Sequence, residues 1–184
     1  MFQKLLEKIA KELNNSQIPY MIIGGQAVLM YGEPRLTKDI DITLGVGIDK
    51  FKTVEQIIKN LGFKILVENP EAFIKEFMII PALDEESSIK IDFIFSFTPY
   101  ETQAINRSKK VKFGNTNINF ASIEDLIIHK IIAGRARDLE DVRMLLVKNK
   151  KFDKDYIVKW LGEFDKSLGE NFSDKFNRIL EELK

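Results

Sequence analysis

Cysteine is absent from the 184 residues, and histidine occurs once, as His129. Without cysteine the chain has no disulfide, no thiolate nucleophile and no zinc site of the cysteine kind. One histidine excludes a two-histidine metal site within a single chain. Lys plus Arg equal Asp plus Glu at 28 each, so no overall basic field favours nucleic acid, and any such contact must be local. Carboxylates, lysines and arginines remain as the groups for chemistry.

Long apolar runs are also missing, since none approaches the roughly 20 residues that span a bilayer. Charges are spread through residues 1–15, which lack the apolar centre of a secretory signal. We therefore expect a cytoplasmic chain with no membrane partner. Hydrophobic residues make up 45% of the sequence, enough for the core of one domain or of a domain with an appendage.

The most informative stretch runs from an apolar strand pattern, Tyr20–Ile23, to an alternating acid and apolar pattern at residues 39–42. Between them lie Gly24 and Gly25, which neither a strand interior nor a helix interior favours, and then an apolar segment of helical length at residues 27–31. Glycines at a strand-to-helix turn expose backbone N–H groups that bind anions. A plain tight turn is the alternative.

Asp39 and Asp41 are two residues apart, so on a strand they lie on one face about 7 Å apart. Two carboxylates on one face of a buried strand repel each other and lose hydration. A hard cation such as Mg²⁺ would compensate them. The alternative is that the pair forms the solvated face of an edge strand.

A third acid, Asp92, lies among apolar neighbours in residues 89–95. This run and residues 78–83 are separated by a polar loop and predict a β-hairpin. A lone charge in a core strand is costly unless it is paired or ligated. A salt bridge to a nearby Lys or Arg would also satisfy it.

A local basic cluster consists of Arg107, Lys109, Lys110 and Lys112. The alternation of its lysines with apolar residues predicts a half-buried strand whose basic side chains face outward. Lysines on an edge strand prevent aggregation. A contact with the phosphate backbone of RNA is the second interpretation.

The segment after residue 121 is mostly helical. Ser122 and Asp125 have the spacing of a capping box that begins a helix over residues 123–137. Lys130 lies in its apolar run, either with its stem packed and its head in water or as a fixed cation for a triphosphate. Asp138 has two equal interpretations that can hold together, a cap of a helix over residues 139–148 and a role in the active site.

The spacing of Gly24-Gly25 and Asp39-Ile40-Asp41-Ile42 resembles the DNA-polymerase-β-like nucleotidyltransferase superfamily. The wording GGQAV…YG.PR.T.DIDI is most similar to its AbiEii-type, toxin-related branch, as is a helical lysine followed by Arg-Asp-x-x-Asp. The last of these is represented here by Lys130, Arg137, Asp138 and Asp141.

This resemblance implies transfer of a nucleoside monophosphate from a nucleoside triphosphate (NTP) to an acceptor hydroxyl, with Mg²⁺ or Mn²⁺ as cofactor. It implies two ions about 4 Å apart on the carboxylates. The acceptor would be tRNA, as in AbiEii-type toxins, and a separate antitoxin would be the partner. A protein or small-molecule acceptor, or nucleotide binding without turnover, are alternatives. The implied catalytic and metal-binding residues are Asp39, Asp41 and Asp92, and the implied nucleotide-binding residues are Gly24, Gly25, Arg35, Thr37, Lys38, Lys130 and Asp138.

The expected fold is α/β (α+β), with a small mixed β-sheet carrying the acids and helices packed on it. We place a nucleotidyltransferase core at residues 1–121. A C-terminal helical segment packed on that core would occupy residues 122–184.

Overall fold

The computed structural model describes residues 2–32 and 37–183. The chain divides into two compact units, one formed by Met1–Gln26 with Leu36–Ala121 and the other by Ala27–Arg35 with Ser122–Lys184. Within the described residues, no helix is long and apolar enough to cross a membrane.

The first unit contains a seven-stranded mixed sheet, in the order β3-β4-β5-β2-β1-β7-β6. The pairs β1–β7 and β2–β5 are parallel, and the other neighbours are antiparallel. The strands are β1 Tyr20–Ile23, β2 Asp39–Leu44, β3 Lys64–Ile65, β4 Ile79–Asp84, β5 Ile89–Phe95, β6 Lys109–Phe113 and β7 Thr116–Phe120. The prediction of a small mixed sheet carrying the acids is confirmed.

Strand alternation decides which face of this sheet is buried. Ile40 and Ile42 of β2 and Ile91 and Phe93 of β5 are all fully buried on one face. The acids of the same strands point to the opposite face, as their period of two requires. Burial of the apolar face therefore fixes the direction in which the acids point.

Helices connect the strands along the chain in the first unit and make up most of the second unit. The helices of the described residues are α1 Phe2–Asn15, α2 Gly24–Tyr31, a short 3₁₀ turn Ile48–Lys50, α3 Phe51–Asn60, α4 Pro70–Phe77, α5 Pro99–Asn106, α6 Ile123–Ala133, α7 Ala136–Lys148, α8 Lys154–Leu168 and α9 Phe172–Glu182. Helix α1 packs on β7, and α6 packs against α7, α8 and α9. The prediction of a mostly helical C-terminal segment is confirmed.

Two element predictions differ from the structure. Gly24 and Gly25 do not precede the helix but form its first turn. The helix expected over residues 123–137 ends at Ala133, because Gly134 adopts a left-handed conformation with φ 63° and caps it.

Candidate active site

The three acids of the sheet lie on adjacent strands. Asp41 of β2 is in register with Asp92 of β5, and Asp39 is in register with Lys90. Neighbouring strands are about 4.8 Å apart, and residues paired in this way share a face. The structure therefore places Asp39, Asp41 and Asp92 together on one face of the first unit.

Gly24 lies directly against one of these acids. Its φ is +61°, and a Cβ atom added there would lie 1.9 Å from Oδ2 of Asp41. Any other residue would both strain the backbone and overlap the carboxylate. The glycine is thus needed for its conformation and for the close approach of Asp41 to the first turn of α2.

Asp92 is only half-buried, yet its carboxylate is electrostatically strained. Burial raises its pKa above the usual 3.8, the neighbouring Asp39 raises it further, and Lys90 partly lowers it. In the ranges 2–32 and 37–183, Asp92 forms no salt bridge. The salt-bridge interpretation therefore does not hold for the described part of the chain.

The loop before Asp39 is tied to the glycine turn. The amide of Gln26, which is 5% exposed, donates a hydrogen bond to the Thr37 hydroxyl at 2.7 Å. Thr37 is half-buried, and Lys38 is exposed. Arg35 lies outside the described residues. Sequence reasoning missed Gln26, although a polar side chain following two glycines in an apolar helix was a detectable signal.

Lys130 and Asp138 lie in the second unit and contact each other. The Lys130 ammonium is 2.6 Å from Oδ1 of Asp138 and 2.9 Å from Oδ2 of Asp141, and the lysine side chain is 7% exposed. The lysine head is thus not in water, and the interpretation of a stem packed beneath a solvated head is wrong.

Asp138 does not cap a helix, so the first of its two interpretations is wrong. It is the third residue of α7, whose N-cap position is Arg135. Burial alone would raise the pKa of Asp138, but hydrogen bonds from Arg135 and Lys130 lower it below its usual value. The backbone turn at Gly134 starts α7 earlier than the capping pattern suggested, so Asp138 reaches the buried lysine instead.

The carboxylates of the first unit fit a hard cation both in their ligand atoms and in their like charge. Asp39, Asp41 and Asp92 supply only oxygen ligands, and their mutual repulsion favours a cation. Within the described residues, no three acidic or imidazole side chains already converge as a metal cage. Mg²⁺ commonly binds through one or two carboxylates together with substrate phosphates, so a complete protein cage is not required.

A family model of nucleotidyltransferases of unknown function, DUF6036, matches residues 1–180. The chain belongs to this nucleotidyltransferase family. No curated protein sequence matches it.

Three solved structures show the same fold at low sequence identity. The antibiotic-resistance factor ANT(2″)-Ia in complex with adenylyl-2″-tobramycin is 17% identical, with a TM-score of 0.55 over 79% of this chain and 87% of that chain. The lincosamide antibiotic adenylyltransferase LnuA, bound to lincomycin, is 18% identical, with a TM-score of 0.56 over 79% and 97%. An antigenic nucleotidyltransferase-like protein from Paracoccidioides brasiliensis is 13% identical, with a TM-score of 0.56 over 97% and 91%.

Proposed function

We propose that this member of the nucleotidyltransferase family transfers a nucleoside monophosphate from an NTP to an acceptor hydroxyl at the face formed by Asp39, Asp41 and Asp92. The observation that carries this proposal is the register of Asp41 with Asp92, together with the contact of Gly24 with Asp41. This face of the sheet therefore has paired carboxylates next to a helix that begins with two glycines.

Each of these residues would have a separate role in the reaction. The acceptor oxygen attacks the α-phosphorus, the bond from that phosphorus to the α–β bridging oxygen breaks, and pyrophosphate leaves. Asp92, beside Asp41, would help to hold the cation that lowers the pKa of the acceptor hydroxyl, and the hydroxyl proton leaves to solvent. Gly24 and Gly25 let backbone N–H groups of the first turn of α2 approach the triphosphate.

A divalent cation, Mg²⁺ or Mn²⁺, held by Asp39, Asp41 and Asp92 would supply positive charge for the phosphates and the leaving group. Thr37 and Lys38 would contact the phosphates beside it. The hydrogen bond from Gln26 holds Thr37 in position for that contact. Most of the rate would come from positioning and electrostatics, as in phosphoryl transfer generally.

Lys130 and Asp138 have a weaker case for nucleotide binding. The lysine ammonium is already paired with two buried carboxylates. A role in neutralising the triphosphate would require that pairing to change. We therefore propose the first unit as the catalytic centre and treat the lysine–aspartate cluster as a structural element of the second unit.

The acceptor is the open part of the proposal. Resemblance to AbiEii-type toxins favours tRNA and implies an antitoxin, whereas the fold shared with the antibiotic-modifying enzymes ANT(2″)-Ia and LnuA favours a small hydroxyl compound. Hydroxyls of proteins are a third class. Nucleotide binding without turnover is the alternative to catalysis.

A label-transfer assay tests this function. The protein is incubated with each α-labelled NTP and Mg²⁺, alone, with total cellular RNA and with an aminoglycoside. We expect label on one acceptor, reduced at least about a thousandfold in the double variant Asp39→Asn, Asp41→Asn, since these carboxylates act in the transition state. Asp49→Asn, in the 3₁₀ turn, is the control and should retain activity. If no acceptor is labelled while the nucleotide still binds, the chain binds nucleotides without turnover.

A further inference from the structure

The edge strand β6 carries exposed lysines in a chain of zero net charge. Between residues 102 and 123 there are four basic residues and no acid. Lys110 and Lys112 are exposed, and in the described part of the chain neither ammonium has a carboxylate partner. Isolated lysines on an edge strand discourage aggregation, but they also form a local field that attracts anions.

The register of the hairpin places amides beside these lysines. Lys110 pairs with Asn119 and Lys112 pairs with Asn117, so all four side chains share one face. We name these four residues the hairpin basic surface. Its ammonium groups can contact phosphates, and its amides can both donate and accept hydrogen bonds.

The hairpin basic surface lies on the same sheet face as the catalytic acids. Since Ile22 pairs with Phe120 in parallel, Asn119 neighbours Met21, whose partner is Thr43. Thr43 is two residues from Asp41 and so points to the same side. Strand β6 is three strands from β2, roughly 14 Å across the sheet, and the level of Lys110 is two residues, about 7 Å, from that of Asp41. Met21 and Thr43 between them are buried, so an extended RNA strand would cover this distance by passing over the residues that bury them.

A second group of lysines extends the positive charge around the hairpin turn. Lys4, Lys8 and Lys11 of α1, with Glu7, line a depression of about 510 Å³ beside residues 114–116. The Lys8 ammonium donates to the Leu61 carbonyl at 2.6 Å, which leaves the exposed Lys4 and Lys11 for an anion. Positive charge therefore continues past the tip of the hairpin.

We propose that the hairpin basic surface binds the sugar–phosphate backbone of single-stranded RNA and guides an RNA acceptor toward Asp41. Its lysines contact phosphates, and Asn117 and Asn119 contact ribose 2′-hydroxyls, which distinguish RNA from DNA. The guidance of an acceptor rests on the proposed nucleotidyl transfer, whereas RNA binding itself does not.

Fluorescence anisotropy with a labelled uridine 20-mer, without NTP or metal, tests the surface apart from catalysis. Replacing both lysines in Lys110→Gln, Lys112→Gln should weaken binding about tenfold and reduce the salt-dependence slope by about 1.4, because each lost phosphate contact contributes about 0.7 on single strands. Lys52→Gln, Lys64→Gln removes the same charge from exposed sites of this unit and should leave the affinity unchanged. Equal affinities of the two double variants, or no binding by the unaltered protein, would overturn the proposal.

A thymidine DNA 20-mer tests the choice of RNA. We expect RNA to bind more tightly, and the double variant Asn117→Ala, Asn119→Ala to lose most of that difference. DNA binding that equals RNA binding would overturn the ribose contacts and the choice of RNA.

The two proposals fail in different ways. The Asp39→Asn, Asp41→Asn variant should bind the uridine 20-mer as well as the unaltered protein. Label transfer to a small compound without RNA binding would refute the surface alone. Lysine-dependent RNA binding without any label transfer would refute the enzyme alone.

Discussion

The two clusters of ionisable groups in this chain differ in charge: one groups like charges, and the other pairs opposite charges. On the sheet, Asp39, Asp41 and Asp92 are half-buried or exposed acids on one face, and burial and the charge of Asp39 raise the pKa of Asp92. In the helical unit, Lys130 and Asp138 are buried but oppositely charged, and their contact lowers the pKa of Asp138. On the sheet, burial and a like charge raise the pKa of one acid, whereas in the helical unit opposite charges lower the pKa of Asp138.

This difference favours a binding role for the acids of the sheet and a structural role for the helical cluster. A cluster of like charges persists in a fold only if something outside it offsets the repulsion, which is typical of sites that bind cations or reacting groups. A compensated buried cluster needs no ligand. Removing one partner from such a cluster strongly lowers the free energy of unfolding, since it leaves a buried charge uncompensated.

The largest effect on stability is expected from the compensated cluster. Asp138→Asn should lower the free energy of unfolding at pH 7 by about 3 kcal/mol, because Lys130 loses one of its two buried carboxylate partners. The lowered pKa of Asp138 means that this contribution is present above about pH 4 and disappears as the pH falls through the folded-state pKa.

Urea unfolding at pH 7 and pH 3 measures that difference. Asp155→Asn, an exposed acid in the first turn of α8, is the control and should change stability little. A loss that is equally large at both pH values would show that packing, not charge, accounts for it.

A loss of similar size is expected at the contact between Gly24 and Asp41. Gly24→Ala should cost about 1–2 kcal/mol for the left-handed backbone and about 1 kcal/mol or more for the overlap with Asp41. Gly62→Ala is a matched control, since Gly62 has φ +72° and nothing within 4 Å of an added Cβ. Thermal unfolding compares the two variants, and equal losses would show that the Asp41 carboxylate moves aside freely.

The smallest effect is a gain in stability. Because the pKa of Asp92 is raised, the folded state favours the protonated carboxyl. Ionisation of Asp92 therefore lowers the stability of the fold once the pH rises above the pKa of the unfolded state, near 3.8. Asp92→Asn should therefore raise the melting temperature at pH 7 in a buffer with chelator, with the gain vanishing below about pH 4.

Scanning fluorimetry across this pH range measures the gain, and Asp49→Asn serves as the control. The same variant should lose label transfer. A variant less stable than the parent at pH 7 would contradict the view that the acids of the sheet are strained against one another.

The sequence predicted the arrangement of the acids on the sheet more accurately than the arrangement of the helical cluster. The alternation around Asp41 predicts its face, because a strand has a period of two and its apolar partners must be buried. Ser122 was likewise predicted as an N-cap, and its hydroxyl accepts from the Asp125 backbone N–H at 3.1 Å. Both patterns depend on neighbours close in the chain.

Contacts between distant residues were not predictable in this way. Asp125 also accepts a hydrogen bond from the Tyr156 hydroxyl at 2.8 Å, 31 residues away. A helix cap was one of the two interpretations of Asp138, whereas the turn at Gly134 placed it beside Lys130. No local pattern distinguishes these outcomes, because both depend on how separate helices pack.

The sequence by itself determined the candidate residues for the chemistry. The glycine pair, the spaced acids and the basic cluster are all local patterns whose physical consequences follow from backbone periodicity. Only the tertiary structure decided their pairing. The register of β2 with β5 placed Asp41 beside Asp92, and the order of strands placed the lysines of β6 on the sheet face of the acids. Strand order and register arise from burial of the whole apolar face, a property of many distant residues together.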